Sequence, residues 1–222
     1  EMAQGKLRAK LPQLRLALEG QVQEHHRFLL QELLDHVGQV ESKLARVDQD
    51  IAQRMLPFSE AVARWKTIPG VDQVTAWSLV AEIGTNMDQF PSPQQLASWA
   101  GVCPGNNESA GKRKSGKTRK GSPWLRRVLC QAAWAASRTK RTYLAAQFRR
   151  LAARRGRKRA IIGVAHSILV MAYYMLKHGC DYQELGEDYF ERINAEGLKR
   201  YLVKRLQHLG YQVHLEVQQP AA

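Results

Sequence analysis

The chain has 222 residues, 44% of them hydrophobic, with a mean hydropathy of −0.43 and a formal charge of +14. That length admits one large or two small domains, and the composition supports a buried core while excluding wholesale disorder. The charge is localised: 18 of the 34 Lys and Arg lie between Gly101 and Ala160 with one acid, Glu108, so this segment carries +17 and the remainder sums to −3. A field so concentrated calls for a polyanion, nucleic acid first.

From Leu30 to Ile51 the apolar residues keep a heptad, with Leu30, Val37, Leu44 and Ile51 at one position and Leu33, Val40 and Val47 at the other. Polar and charged residues fill the intervening sites, which leaves the narrow seam of a coiled coil or long helical hairpin. Pro12 limits how far that helix continues upstream. The expectation is a self-associating arm over residues 1–60; a packing helix within one domain is the competing reading. The chain begins at Glu1 without an initiator Met, so a preceding N-terminal part is expected, and no stretch near Glu1 reads as a signal peptide.

Ile68-Pro69-Gly70-Val71 is a turn, followed by Val74, Trp77, Leu79, Val80 and Ile83 and then Gly84 as a stop. Helix, Pro-Gly turn, helix is how a helix-hairpin-helix reads. Amide groups around Gly70 would then face a DNA phosphate without reading bases. A turn that only joins two packed helices has the same pattern. Ser92-Pro93 supplies an N-cap and first helical position for a helix to Trp99 or Ala100.

Cys103 to Ser122 holds four glycines and almost no apolar residue, the composition of a long polar loop of the kind that is usually functional or disordered. Ser122-Pro123 restarts a helix, with Trp124, Val128 and Ala132 assigned to one face and Arg127, Gln131 and Arg138 to another. Further helices are expected over Tyr143–Leu151 and Lys158–Lys177. The uncharged run Ala160–Leu176 is short for a membrane span and contains His166, Ser167 and Gly163, so it reads as a buried core helix. Mixed helical patches reach about Leu209, and the alternation of Tyr211–Val217 reads as one short edge strand. The expected fold is mainly α: a coiled-coil arm (1–60), a helical domain containing a helix-hairpin-helix and basic loop (61–180), and a C-terminal helical extension (181–222).

Gly111 to Thr118 satisfies GxxxxGK[ST] letter for letter. A working P-loop needs a buried strand before it and a helix starting at its Lys-Thr. Neither flank supplies one, so nucleotide binding is rejected. The same residues read better as an anion site, since Lys112, Arg113, Lys114, Lys117, Arg119 and Lys120 place six cations in nine residues and Arg126 and Arg127 follow. If about six cations meet phosphates, counterion release predicts a log–log salt slope near −5.

Within this loop stands Ser109, in a mobile Ala-Gly setting and surrounded by cations, as a nucleophile attacking phosphorus would require. Ser115, Ser122 and Thr118 are equally defensible on composition, and no histidine lies close in sequence to act as base. Glu82 and Asp88, or Asp181, Glu184, Glu187 and Asp188, are the available carboxylates for metal-dependent chemistry. Surface helix acids explain them, so no metal site is assigned. Three scattered cysteines, Cys103, Cys130 and Cys180, argue against a disulfide framework or zinc site and for a reducing cytosol.

One ordered series of motifs adds to this. Ile68-Pro69-Gly70-Val71, Ala81-Glu82-Ile83-Gly84, Phe90, Leu96 through Val102, Cys103-Pro104, Glu108-Ser109-Ala110-Gly111 and Lys120-Gly121 before Leu125-Arg126-Arg127 occur in that order. The series, over roughly Ile68 to Gly179, resembles the C-terminal transposase domain of bacterial insertion-sequence transposases that pair a RuvC-like DEDD domain with a serine transposase domain, the bridge-RNA-guided recombinases and Piv-type invertases. The resemblance implies that Ser109 is the nucleophile of a phosphoserine-linked DNA intermediate. It further implies DNA and guide RNA as partners, a homo-oligomer formed through the coiled coil, a bacterial cytoplasmic, nucleoid-associated setting, and Mg²⁺ held by RuvC-like carboxylates. That RuvC-like domain is not in these residues. The alternative is a non-catalytic nucleic-acid-binding and dimerisation module, such as a transposon remnant, or an RNA-binding scaffold.

Overall fold

The computed structural model describes residues 5–105 and 107–216 and divides the chain into two compact units, residues 1–56 and 57–222. In the first unit a 3-10 turn (Gly5–Lys10) leads into α1 (Leu11–Leu18), with Pro12 in its first turn where the missing N–H costs nothing. The chain then breaks, and α2 (Glu24–Arg54) runs unbroken for 31 residues. Its start is fixed by the Gln23 backbone N–H, which donates to His26 Nδ1 at 3.2 Å. The heptad residues Leu30, Leu33, Val37, Val40, Leu44 and Val47 all lie on α2 and stay 40–62% exposed, so the apolar seam is uncovered within this unit.

The second unit is a helical bundle built around one apolar helix. It comprises α3 (Ser59–Trp65), α4 (Gln73–Ile83), α5 (Pro93–Trp99), a β-hairpin of β1 (Asn107–Ser109) and β2 (Lys112–Ser115), α6 (Pro123–Arg138), α7 (Tyr143–Arg155), α8 (Arg157–His178), α9 (Tyr189–Ile193) and α10 (Ala195–His208). By length and composition α8 passes for a membrane span. Instead it packs against α3, α5, α6 and α7, burying Ile161, Val164, Ile168, Leu169 and Tyr173 in the middle of the bundle. Small residues make these close crossings possible: Ala132, Ala133 and Ala136 on α6, Ala145 on α7, and Ala160, Ala165 and Ala172 on α8 are all at most 2% exposed. Trp65 is wholly buried and its indole N–H donates to Ala172 O at 3.0 Å, so the largest side chain of α3 leaves no unmet donor in the core.

Local chemistry sets the helix boundaries. Asp72, Ser92, Ser122 and Thr142 each cap a helix by accepting the N–H of the third residue on, at Thr75, Gln95, Leu125 and Ala145. The polar loop expected over 103–122 is largely the hairpin: Ala110 (φ 51°) and Gly111 (φ 71°) form a two-residue turn of the kind whose twist suits antiparallel strands. Pairing runs Ser109 to Lys112, Glu108 to Arg113 and Asn107 to Ser115, with a bulge on the way, and continues as a bridge between Pro104 and Thr118. The edge strand expected at the C-terminus is not formed. Residues 211–216 are irregular because no strand lies beside them to complete a ladder, and Val217 falls outside the described residues.

The tail after α8 belongs to the second unit. Glu184 accepts the Tyr143 N–H at 2.7 Å, Glu187 pairs with Arg149 at 3.4 Å, and Phe190 stacks on Tyr143 and lies under the Arg150 guanidinium.

Candidate nucleic-acid interface

The sequence places its basic residues on one continuous segment; the fold divides them among several tasks. Arg126 is half-buried, and its guanidinium donates to Arg119 O at 2.6 Å, tying the outgoing limb of the hairpin to the start of α6. Gly121 completes this clamp, since a Cβ there would meet the Ala100 carbonyl oxygen at 2.6 Å. Arg126 thus positions the hairpin. Arg127 is exposed, with its guanidinium 5.0 Å from the centre of the Trp124 ring. Lys112, Arg119 and Lys120 are exposed on the hairpin and the limb leading to α6, and the side chains of Arg113 and Lys114 lie outside the described residues.

Gly70 has a packing role. At φ +87° it sets the turn directly on the α6 backbone, where a Cβ would collide with Ala132 O and come within 2.6 Å of Ala136 N. The amide end of α4 that follows is capped by the Asp72 carboxylate, a negative group where a phosphate would have to sit. The geometry here is that of a turn joining packed helices.

The structure also forms a cleft of ≈ 1060 Å³ between the open end of the hairpin and the α7–α8 corner. Lys117 borders it from the hairpin side, and Arg154, Arg155, Lys158 and Arg159 border it from the helices; among the described residues its lining includes no carboxylate. Ser115, Thr118 and His166 add polar groups, and burial pushes the His166 imidazole below its ordinary pKa. Gly156, at φ +79°, turns α7 directly into α8, so the last residues of one helix and the first of the next crowd their cations into one corner. Cations in the last turn of α7 suit the helix dipole. Arg157, Lys158 and Arg159 in the first turn of α8 oppose it, with no acid to compensate. That arrangement is a local electrostatic conflict that the helix itself does not relieve.

Ser109 is exposed at the turn end of the hairpin, directly opposite Lys112. The cleft lies at the other end. At most about 20 Å of extended chain separates Lys112 from Thr118. Ser122 differs: its hydroxyl accepts the Leu125 N–H and donates to Glu82 Oε2 at 2.8 Å, so it is a cap with no free role as nucleophile. Ser115 accepts the Lys117 N–H at 3.1 Å in the wall of the cleft.

The acids are likewise committed. Asp88 pairs with Lys177, Asp181 with Arg64, Glu187 with Arg149 and Asp188 with Arg192. Among the described residues no three His, Cys, Asp or Glu side chains converge, and the charged groups in the described lining of the cleft are Lys and Arg. These residues do not fit Mg²⁺.

Sequence reasoning missed the cleft because Lys117 and Arg154–Arg159 are brought together only by the α7–α8 corner. The available signal was Arg154-Arg155-Gly156-Arg157-Lys158-Arg159, a glycine between two basic helix ends. It also misplaced Trp124, which is 63% exposed; the buried face of α6 is Leu125, Leu129, Ala132, Ala133 and Ala136.

Residues 62–149 match the family model described as Transposase IS116/IS110/IS902 family. The matched segment runs from α3 into α7 and includes the whole hairpin, and it supports a transposase domain there. The helix side of the cleft, from Arg154 onward, lies beyond it. No curated protein matches the chain.

Proposed function

We propose that the chain is the DNA-handling part of a transposase, gripping a nucleic-acid backbone in the cationic cleft and presenting Ser109 as the nucleophile of strand exchange. The observation that carries this is the cationic cleft of Lys117, Arg154, Arg155, Lys158 and Arg159 joined by one hairpin to an exposed serine. Phosphate contacts of this kind position a duplex without reading its sequence. With the backbone held at the hairpin base, Ser109 stands at the tip, free of the core. Attack by its Oγ forms an O–P bond and breaks the bond from phosphorus to one deoxyribose oxygen; the Oγ proton passes to water, and the leaving oxygen takes a proton from water to depart as a hydroxyl. Lys112, opposite Ser109, adds positive charge where the transferred phosphoryl group becomes more negative.

The seam on α2 supports self-association with a second copy. Guide RNA fits the same sequence-indifferent cations, and a cytoplasmic, nucleoid-associated setting follows from the substrate. Mg²⁺ belongs, in this reading, to a RuvC-like domain supplied outside these residues.

A second reading, a nucleic-acid-binding and dimerisation module without catalysis, is favoured by one observation: the cleft cations sit at the opposite end of the hairpin from Ser109. In the complete enzyme Ser109→Ala should abolish strand exchange and the covalent protein–DNA adduct while leaving DNA affinity unchanged. Recombination retained by that variant removes Ser109 from the mechanism and leaves the binding module.

A further inference from the structure

Backbone recognition needs cations and little else, yet the cleft has a second component. Its lining also includes an apolar floor: Leu151 of α7 and Ile162 of α8, both half-buried, and Val102, 1% exposed. Gly163 lets these helices close up, since a Cβ there would stand 2.8 Å from the Leu151 methyl. This is an apolar floor under a ring of charge. A phosphate gains nothing from it, because an anion is better served by water or by donors. A nucleobase is suited to it: flat, largely apolar on its faces and polar only along its edges.

We propose that the floor of this cleft receives an unpaired nucleobase, with the flanking phosphates lying on the cationic rim. The inference rests on the proposed function and narrows its substrate, because a base inside an intact duplex is stacked on both faces and cannot reach the floor. The occupant is therefore a single strand, a bulge or an extruded nucleotide. Polar groups for the base edge are present in the same lining. Ser115 and Thr118 line one wall and are half-buried, and His166 lines the other. Burial favours the neutral imidazole at pH 7, which offers one donor and one acceptor. The volume, ≈ 1060 Å³, is ample for a nucleotide and far larger than a single phosphate requires. None of the described lining residues is acidic, and five of them are cations that attract the phosphates on either side.

The test compares two strands of equal charge. A short single-stranded DNA and the same strand carrying tetrahydrofuran abasic residues at its internal positions are titrated against the full-length chain by fluorescence anisotropy, with an RNA strand of the same sequence as a third arm. The intact DNA should bind at least about fivefold more tightly than the abasic strand, as burying part of one base against an apolar surface would give. The RNA arm separates the sources of the base: equal affinity places no demand on the sugar, and tighter RNA binding assigns the floor to guide RNA. Ile162→Gln and Leu151→Gln should each reduce the preference toward one while leaving the salt slope of binding unchanged. An intact-to-abasic ratio near one in the unmodified chain overturns the proposal. So does a preference that survives both floor substitutions but disappears in Trp124→Ala, which would move the base to the exposed indole. Absence of salt-dependent binding to either strand overturns the proposed function itself, and this inference with it.

Discussion

Gly70 and Asp72 show how much of this molecule rests on single residues close together in one turn. A side chain at position 70 is opposed twice, by a φ of +87° and by the α6 backbone where its Cβ would lie. Gly70→Ala should therefore destabilise the fold by about 2–4 kcal/mol in urea denaturation. Two residues on, the Asp72 carboxyl is held below its ordinary range by the Thr75 hydroxyl and then by the Thr75 N–H, which donates to Oδ1 at 2.8 Å. The lowered folded-state value fixes the sign: the cap contributes in full above the ordinary carboxylate range, and its contribution is lost as pH falls through the depressed pKa. Asp72→Ala should cost about 1 kcal/mol at pH 7, and the difference from the parent chain should vanish in strong acid. A deficit that persists unchanged at low pH would show that the charge of Asp72 contributes nothing to the cap.

At the scale of elements, α5, α6 and α8 were legible because each begins with a physical signal. Ser92-Pro93 and Ser122-Pro123 are cap-plus-proline starts, and the uncharged run from Ala160 is too apolar to lie anywhere but the core. The hairpin was not legible, since its strands are charged and short, with no apolar alternation to betray a pleat. The face of α6 was misread for a different reason. The sequence grouped Trp124 on one face with Val128 and Ala132, whereas Leu125, one residue later, takes the core and the indole is 63% exposed.

The α2 heptad was legible in full, and within its own unit nothing covers it. If a second copy covers the seam, as proposed, the full chain should sediment as a dimer or higher species. Leu33→Asp combined with Leu44→Asp should return it to monomer without changing the near-UV dichroism of the tryptophans, all of which lie in the second unit. A parent chain that sediments as a monomer would contradict the arm.

For the whole molecule, the defining property is that +17 sits on one stretch of chain and the fold then sorts it. Some of that charge is structural, as at Arg126, and some is answered by the tail, as at Arg149. Among the described residues, the cations that gather at the cleft meet no acid in its lining. Its two sides come from segments far apart in sequence, so only the turn at Gly156 and the hairpin limb could reveal the site. The direct test is the salt dependence of duplex DNA binding by the full-length chain. The parent should show a log–log slope near −5, and replacing Arg154 and Lys158 together by Ala should reduce its magnitude by about two. The same double replacement at Arg138 and Lys140, which do not line the cleft, should change it less. A slope near zero, or one that falls with Arg138 and Lys140 while ignoring Arg154 and Lys158, would contradict the cleft as the nucleic-acid site.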